Sequence, residues 1–166
     1  MPDARVAISL GSNQGDSCEN IRRAAEALSS SGVENLVLSP LYKTSPVDCP
    51  EDAPDFVNAA LTGTTHLSAE ELLTVCRSVE EALGRPLVRG YHEDRVIDLD
   101  LLMYDDMITK TADLVLPHPE MTNRLFVLAP LADVAGEWVV PIASITVETC
   151  LKRLDPGDEH VVRIRD

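Results

Sequence analysis

The sequence predicts an α+β fold in which helices stand apart from a mainly antiparallel sheet. Three observations lead there. Short β-rich segments alternate with segments of helical period in the order β-α-β, β-α, β. Two long connections carry Pro, Gly and charged residues in place of any periodic pattern. The remaining C-terminal part reads as helices, closed by one short strand.

Taken in order, Arg5 to Leu10 alternates as a strand and meets a turn signal at Gly11-Ser12-Asn13. Ile21, Ala24, Ala25 and Leu28 are spaced for one helix face, which predicts a helix from about Ser17 to Ser29. Val33 to Lys43 reads as a strand bent at Pro40, because proline has no N–H to give to a ladder. Thr44 to Asp55, with Pro46, Pro50 and Pro54, is a long loop, and Phe56 to Thr65 is the next strand. Ser68 and Glu71 form a capping box that opens a helix ended by Gly84. Arg85 to Asp94 is a second irregular stretch, and Arg95 to Tyr104 a strand that turns at Asp105-Asp106. Helices follow from about Asn123 to Val134 and Val147 to Leu154, and Val161 to Ile164 adds a final short strand. This order matches the ferredoxin-like type of α+β fold, with residues 1–166 as a single domain carrying a C-terminal extension.

Composition narrows the function. A hydrophobic fraction of 45% with 25% charged residues is that of a globular chain able to bury a core. The net charge of −14 opposes phosphate backbones and anionic lipid, so nucleic acid and membrane surfaces are poor partners. It also means that any bound polyphosphate needs local arginines or metal ions, since Lys43, Lys110 and Lys152 are the only lysines. The four cysteines are widely spaced, with no C-x-x-C pair, and no secretory pattern or membrane-length apolar run occurs. Reduced thiols in the cytoplasm are expected.

Asp98-Leu99-Asp100 is the sharpest local feature. Residues two apart on a strand share a face, so both carboxylates project together while Ile97, Leu99 and Leu101 face the other way. Two close carboxylates repel unless a cation lies between them, and hard oxygen ligands suit Mg²⁺. Taken alone, the pair reads more often as the solvated face of a half-buried strand. His118 is held between Pro117 and Pro119, either as a satisfied turn histidine or as a phosphate ligand. Arg124 is expected in the first turn of a helix, where a cation opposes the dipole and a bound anion would relieve it. Phe56 and Phe126 are the only phenylalanines; they are core residues or two faces for a flat heteroaromatic ligand. Asn58 shares the strand face of Phe56 and offers both donor and acceptor.

Together these residues resemble the hydroxymethyldihydropterin pyrophosphokinase family of folate biosynthesis. The similarity runs through Ile8 to Asn13, Tyr42-Lys43-Thr44-Ser45-Pro46, Asp55 to Ala60, Glu80 to Arg85, Arg95 to Asp100, and Pro117-His118 through Asn123 to Phe126 and on to Leu131. The resemblance implies a ferredoxin-like fold and transfer of pyrophosphate from ATP to 6-hydroxymethyl-7,8-dihydropterin with release of AMP. It implies two Mg²⁺ ions on Asp98 and Asp100, a pterin between Phe56 and Phe126, and Thr44, Val47 and Asn58 along the ring's edge. Arg85, Arg95, His118 and Arg124 match groups near the ATP phosphates, and Glu80 a polar member of that region. A monomer acting on these two small molecules is expected.

The chain also departs from the family. Its usual Arg-Trp-Gly-Pro-Arg is Tyr91-His92-Glu93-Asp94-Arg95 here, Leu87 replaces a common arginine, Asp113 a basic residue and Pro119 an aromatic one. This altered loop is expected to close less well over ATP and raise the ATP requirement. Tyr91→Arg with His92→Trp should then tighten nucleotide binding in titration calorimetry, and an unchanged affinity would dismiss the idea. Two rival readings are a non-catalytic descendant that binds a pterin or a protein, and a ferredoxin-like regulatory module with both phenylalanines in its core.

Overall fold

The computed structural model describes residues 3–44, 55–84, 96–157 and 159–164. Its main sheet has β1 (Ala4–Ser12) at the centre, flanked by β4 (Phe56–Thr65) and β5 (Asp98–Tyr104), both antiparallel to it. Beyond β4 lie β2 (Glu34–Leu38), β3 (Tyr42–Thr44) and, outermost on β3, β10 (Val161–Arg163). Helices α1 (Ser17–Ser30) and α2 (Ala69–Ala82) cover one face. The other is covered by α3 (Leu125–Ala135) and α4 (Val147–Arg153). Small hairpins β6 (Thr109–Lys110) with β7 (Val115–Leu116) and β8 (Val139–Val140) with β9 (Ile145–Thr146), and a 3-10 turn at Met121–Asn123, complete the described elements. This is the expected α+β arrangement, with the extension supplying the cover of the second face.

Covering both faces explains why β1 is buried almost throughout. Val6, Ile8 and Leu10 enter the α1–α2 layer with Ile21, Leu28, Leu61 and Leu72, while Ala7 enters the α3–α4 layer with Ala60, Met103 and Leu128. The expected strand over Val33 to Lys43 is two pieces, β2 and β3, both paired to β4. Between them Pro40 has no N–H, and Ser39 bridges the gap: its N–H donates to the Ala60 carbonyl at 2.8 Å and its Oγ accepts from the Ala60 N–H at 2.9 Å. Helix α2 has the predicted capping box, with Ser68 and Glu71 each holding the other's backbone N–H, and Gly84 beyond its end takes φ 109°.

One local expectation is corrected and one feature is added. β1 does not stop at Leu10; Gly11 and Ser12 remain in the ladder opposite Asn58 and Val57. On β5, Ala7 pairs with Met103 and Ile8 with Leu101, which leaves Leu102 as an extra residue, a bulge. Strict alternation therefore holds only from Asp98 to Leu102. Leu99 and Leu101 enter the first layer, and Leu102 and Met103 both enter the second.

Candidate active site

The polar residues of the second face lie at one end of the sheet. Strand register sets Tyr42, Asn58, Gly11 and Asp98 in one row across β3, β4, β1 and β5, with Asp100 beside Ser9 in the next row of that face. Asn58 and Thr44 are each only 5% exposed, and the Asn58 Nδ2 donates to the Thr44 Oγ1 at 2.8 Å. That bond turns Oδ1 toward Gly11. A Cβ at Gly11 would lie 2.8 Å from Oδ1, so the glycine serves as a floor for the amide and is not needed for a turn. Phe56 pairs with Thr44 across β3 and β4 and is half-buried, as is Phe126 in the first turn of α3. Neither phenylalanine is a fully buried core residue.

Tyr42 hydrogen-bonds through its hydroxyl to Asp133 and so ties β3 to α3. Burial, and then the Asp133 carboxylate, push its pKa up to about 12, so the phenol keeps its proton at neutral pH.

Along the outer edge of β5 runs a cleft of about 490 Å³. Asp98 and Asp100 form one wall, Arg77 and Glu80 of α2 a second, and Asp113, His118, Pro119 and Arg124 the side opposite. Two contacts dock these elements on the strand edge. The Leu99 N–H donates to Glu80 Oε2 at 2.9 Å, and the His118 N–H donates to the Leu102 carbonyl at 2.9 Å. Among the described residues that line the cleft, two arginines face four carboxylates. Added cations would favour a polyphosphate against these carboxylates.

His118 Nδ1 accepts from the Glu120 N–H at 3.1 Å, which assigns the hydrogen of the neutral ring to Nε2. Burial lowers the His118 pKa; Arg124 lowers it further, while Asp100, Glu120 and Asp98 pull it up. The group thus favours the neutral ring, a donor at Nε2. Arg124 precedes α3 as its N-cap instead of entering the first turn, and its guanidinium lies 5.7 Å from the Phe126 ring centre. The expected conflict with the dipole is met within the chain, because Glu159 Oε2 accepts from the Leu125 N–H at 3.3 Å.

Of the residues singled out from sequence, Glu80, Asp98, Asp100, His118 and Arg124 line one cleft, while Thr44, Phe56 and Asn58 share the adjoining strand rows. Val47, Arg85, Arg95 and the altered loop from Leu87 to Asp94 lie outside the described residues. Arg77 was not marked by sequence reasoning, and Gly11 and Tyr42 entered it only within matched segments, with no site role assigned. Arg77 had a signal, standing three residues before Glu80 on the same helix face. Gly11 had none, because a glycine after a strand reads first as a turn.

Elsewhere, Asp3, Glu34 and His66 bring ligand-type atoms within 4.8 Å of one another on the exposed far end of the sheet. Among the described cysteines, Cys18, Cys76 and Cys150 are free thiols. Burial, then Glu80 and Asp100, push the Cys76 thiol up to about 12, so it remains protonated. No described helix is long and apolar enough to cross a membrane.

A ferredoxin-like sheet whose edge strand presents paired carboxylates to a polar cleft defines a small α+β domain with an acidic cleft. The family model for 7,8-dihydro-6-hydroxymethylpterin-pyrophosphokinase (HPPK) matches residues 7–136, and the chain belongs to this family of enzymes. It is 41% identical over 160 residues to the 2-amino-4-hydroxy-6-hydroxymethyldihydropteridine pyrophosphokinase of Methylorubrum extorquens, covering 95% of this chain and 98% of that one. It is 36% identical over 155 residues to the folic acid synthesis protein fol1 of Pneumocystis carinii; the match covers 92% of this chain but only 20% of that longer protein. The fold is similar to wild-type HPPK-DHPS of Plasmodium falciparum, with a TM-score of 0.70 at 15% identity, over 92% of this chain and 45% of that one.

Proposed function

We propose that this chain transfers the pyrophosphoryl group of ATP to the hydroxymethyl oxygen of 6-hydroxymethyl-7,8-dihydropterin, releasing AMP, with Asp98 and Asp100 holding two Mg²⁺ ions. Family membership supports the reaction. The observation that carries the site is the pair of carboxylates on one face of an edge strand, open to the cleft, one strand away from Gly11 and two from Asn58.

The donor set fits the metal. Asp98 and Asp100 offer hard oxygens, and the excess of carboxylates in the described lining calls for cations before a triphosphate can enter. When bound, Mg²⁺ neutralises phosphate charge and makes the attacking hydroxyl more acidic. The chain's own residues supply position. Arg124 and the Nε2–H of His118 are suited to phosphate oxygens, with Arg85 and Arg95 assigned to the same task by resemblance. Asn58, oriented by Thr44, reads the pterin edge with both its amide atoms, beside Val47. Phe56 and Phe126 stack on the two ring faces. In-line attack on the β-phosphorus then needs alignment and charge stabilisation more than a covalent intermediate.

We read residues 1–166 as one domain acting as a cytoplasmic monomer on small molecules. The shared sheet and the net charge of −14, which opposes nucleic acid, support this reading. The test is AMP release from ATP on adding the pterin. Release should require Mg²⁺ and fall by about 100-fold or more in Asp98→Ala. A folded protein that releases no AMP would favour the pterin-binding descendant instead.

A further inference from the structure

We propose that Glu80 is a positioning residue that sets the aim of Asp98 and Asp100 by holding the peptide between them. The proposal rests on the reading of those aspartates as metal ligands and assigns Glu80 a task other than contact with the nucleotide.

Among the described residues β5 is an edge strand, so one row of its backbone donors faces no other described strand. The Leu99 N–H belongs to that row, and it donates to the Glu80 carboxylate at 2.9 Å. Leu99 is the single residue between the two aspartates. Rotation of its peptide swings both carboxylates, because neighbours on a strand turn about a shared backbone. A hydrogen bond at this point is therefore the shortest lever on the aim of the pair.

The burial of Glu80 argues in the same direction. It is only 2% exposed and stands four residues after Cys76 in the buried stripe of α2, beside Val79. A carboxylate there costs several kcal/mol of desolvation unless it is well bonded, whereas an apolar side chain would simply pack. Glu80 reaches the strand from the other sheet face, although all three carboxylates line the same cleft. α2 packs on the first face of the sheet with Leu99 and Leu101, while Asp98 and Asp100 project from the second. Glu80 thus grips the strand edge from the side opposite the aspartates, with Oε2 engaged by the backbone.

Two conservative variants separate reach from charge. Glu80→Gln keeps an oxygen at the same distance and loses the charge; Glu80→Asp keeps the charge and is one methylene too short. The readouts are amide exchange at Leu99 in the metal-free protein and the Mg²⁺ concentration giving half-maximal AMP release. Glu80→Asp should exchange Leu99 about tenfold faster and need about tenfold more Mg²⁺, while Glu80→Gln stays within about threefold on both. The reverse ranking, or two variants that both behave as wild type, overturns the positioning role alone. An Asp98→Asn variant with an unaltered Mg²⁺ requirement overturns the metal reading, and this proposal with it.

Discussion

On the α1–α2 side of the sheet, Val6, Ile8, Leu10, Leu61, Leu99 and Leu101 form one apolar layer running the length of the central strands. On the α3–α4 side the same strands change character along their length. Ala7, Ala60, Leu102 and Met103 are apolar beneath the helices, and Ser9, Asp100, Gly11, Asn58 and Asp98 follow toward the other end. The first face is apolar along its whole length, and the second is divided between an apolar core and a polar end. The small residues Ser9, Gly11 and Ala60 keep the floor of the second face low, which leaves height for side chains and ligands above the sheet.

Substitutions on the two faces should therefore fail in different ways. Ile8→Ala, at a fully buried position of the first face, is expected to cost about 2–5 kcal/mol in chemical denaturation while the surviving folded enzyme keeps its KM for both substrates. A raised KM at equal folded fraction would show that the faces are not separate. Gly11→Ala, on the second face, should do the opposite. Its methyl meets the Asn58 Oδ1 at 2.8 Å and displaces the amide, so pterin affinity should fall about tenfold in a fluorescence titration with little change in Tm.

The smallest effect concerns the helix covering the first face. Hydrogen bonds from the Ser68 backbone and side chain lower the Glu71 pKa from 4.5, so the folded state favours the carboxylate. That stabilisation is present above the ordinary glutamate pKa and is lost as pH falls through the lowered folded value. A pH series of melting curves should show wild type and Glu71→Gln converging as pH falls from 4.5 through the lowered folded value, with AMP release at neutral pH close to equal.

How much of this was legible in the sequence depended on the local signal. Asp98 and Asp100 share a face because a strand has a period of two, and that could be read directly. Pro40 announced the break between β2 and β3, and Ser68 with Glu71 announced α2. The bulge could not be seen: Leu101-Leu102-Met103 is apolar throughout, so no polar residue records where the alternation slips. Gly11 was misread because the need for its missing Cβ comes from Asn58, distant in the chain. Glu80 left a trace, a charge in the apolar phase of a helix, but what it holds became apparent only once α2 was packed against β5. Arg124 was placed one step too far into α3, since the carboxylate that satisfies that helix start comes from Glu159, far along the chain.

Edge strands ordinarily tolerate the gain or loss of a residue, because only one neighbour has to adjust. β5 is tolerant in one direction only. Between Gly11 opposite Asp98 and Ala7 opposite Met103 it already holds one spare residue at Leu102, so losing that residue would restore a one-to-one ladder with Met103 still beneath α3 and both aspartates on the same face. A residue lost or gained between Asp98 and Asp100, by contrast, would turn one carboxylate to the opposite face, so drift there is confined to exchanging side chains.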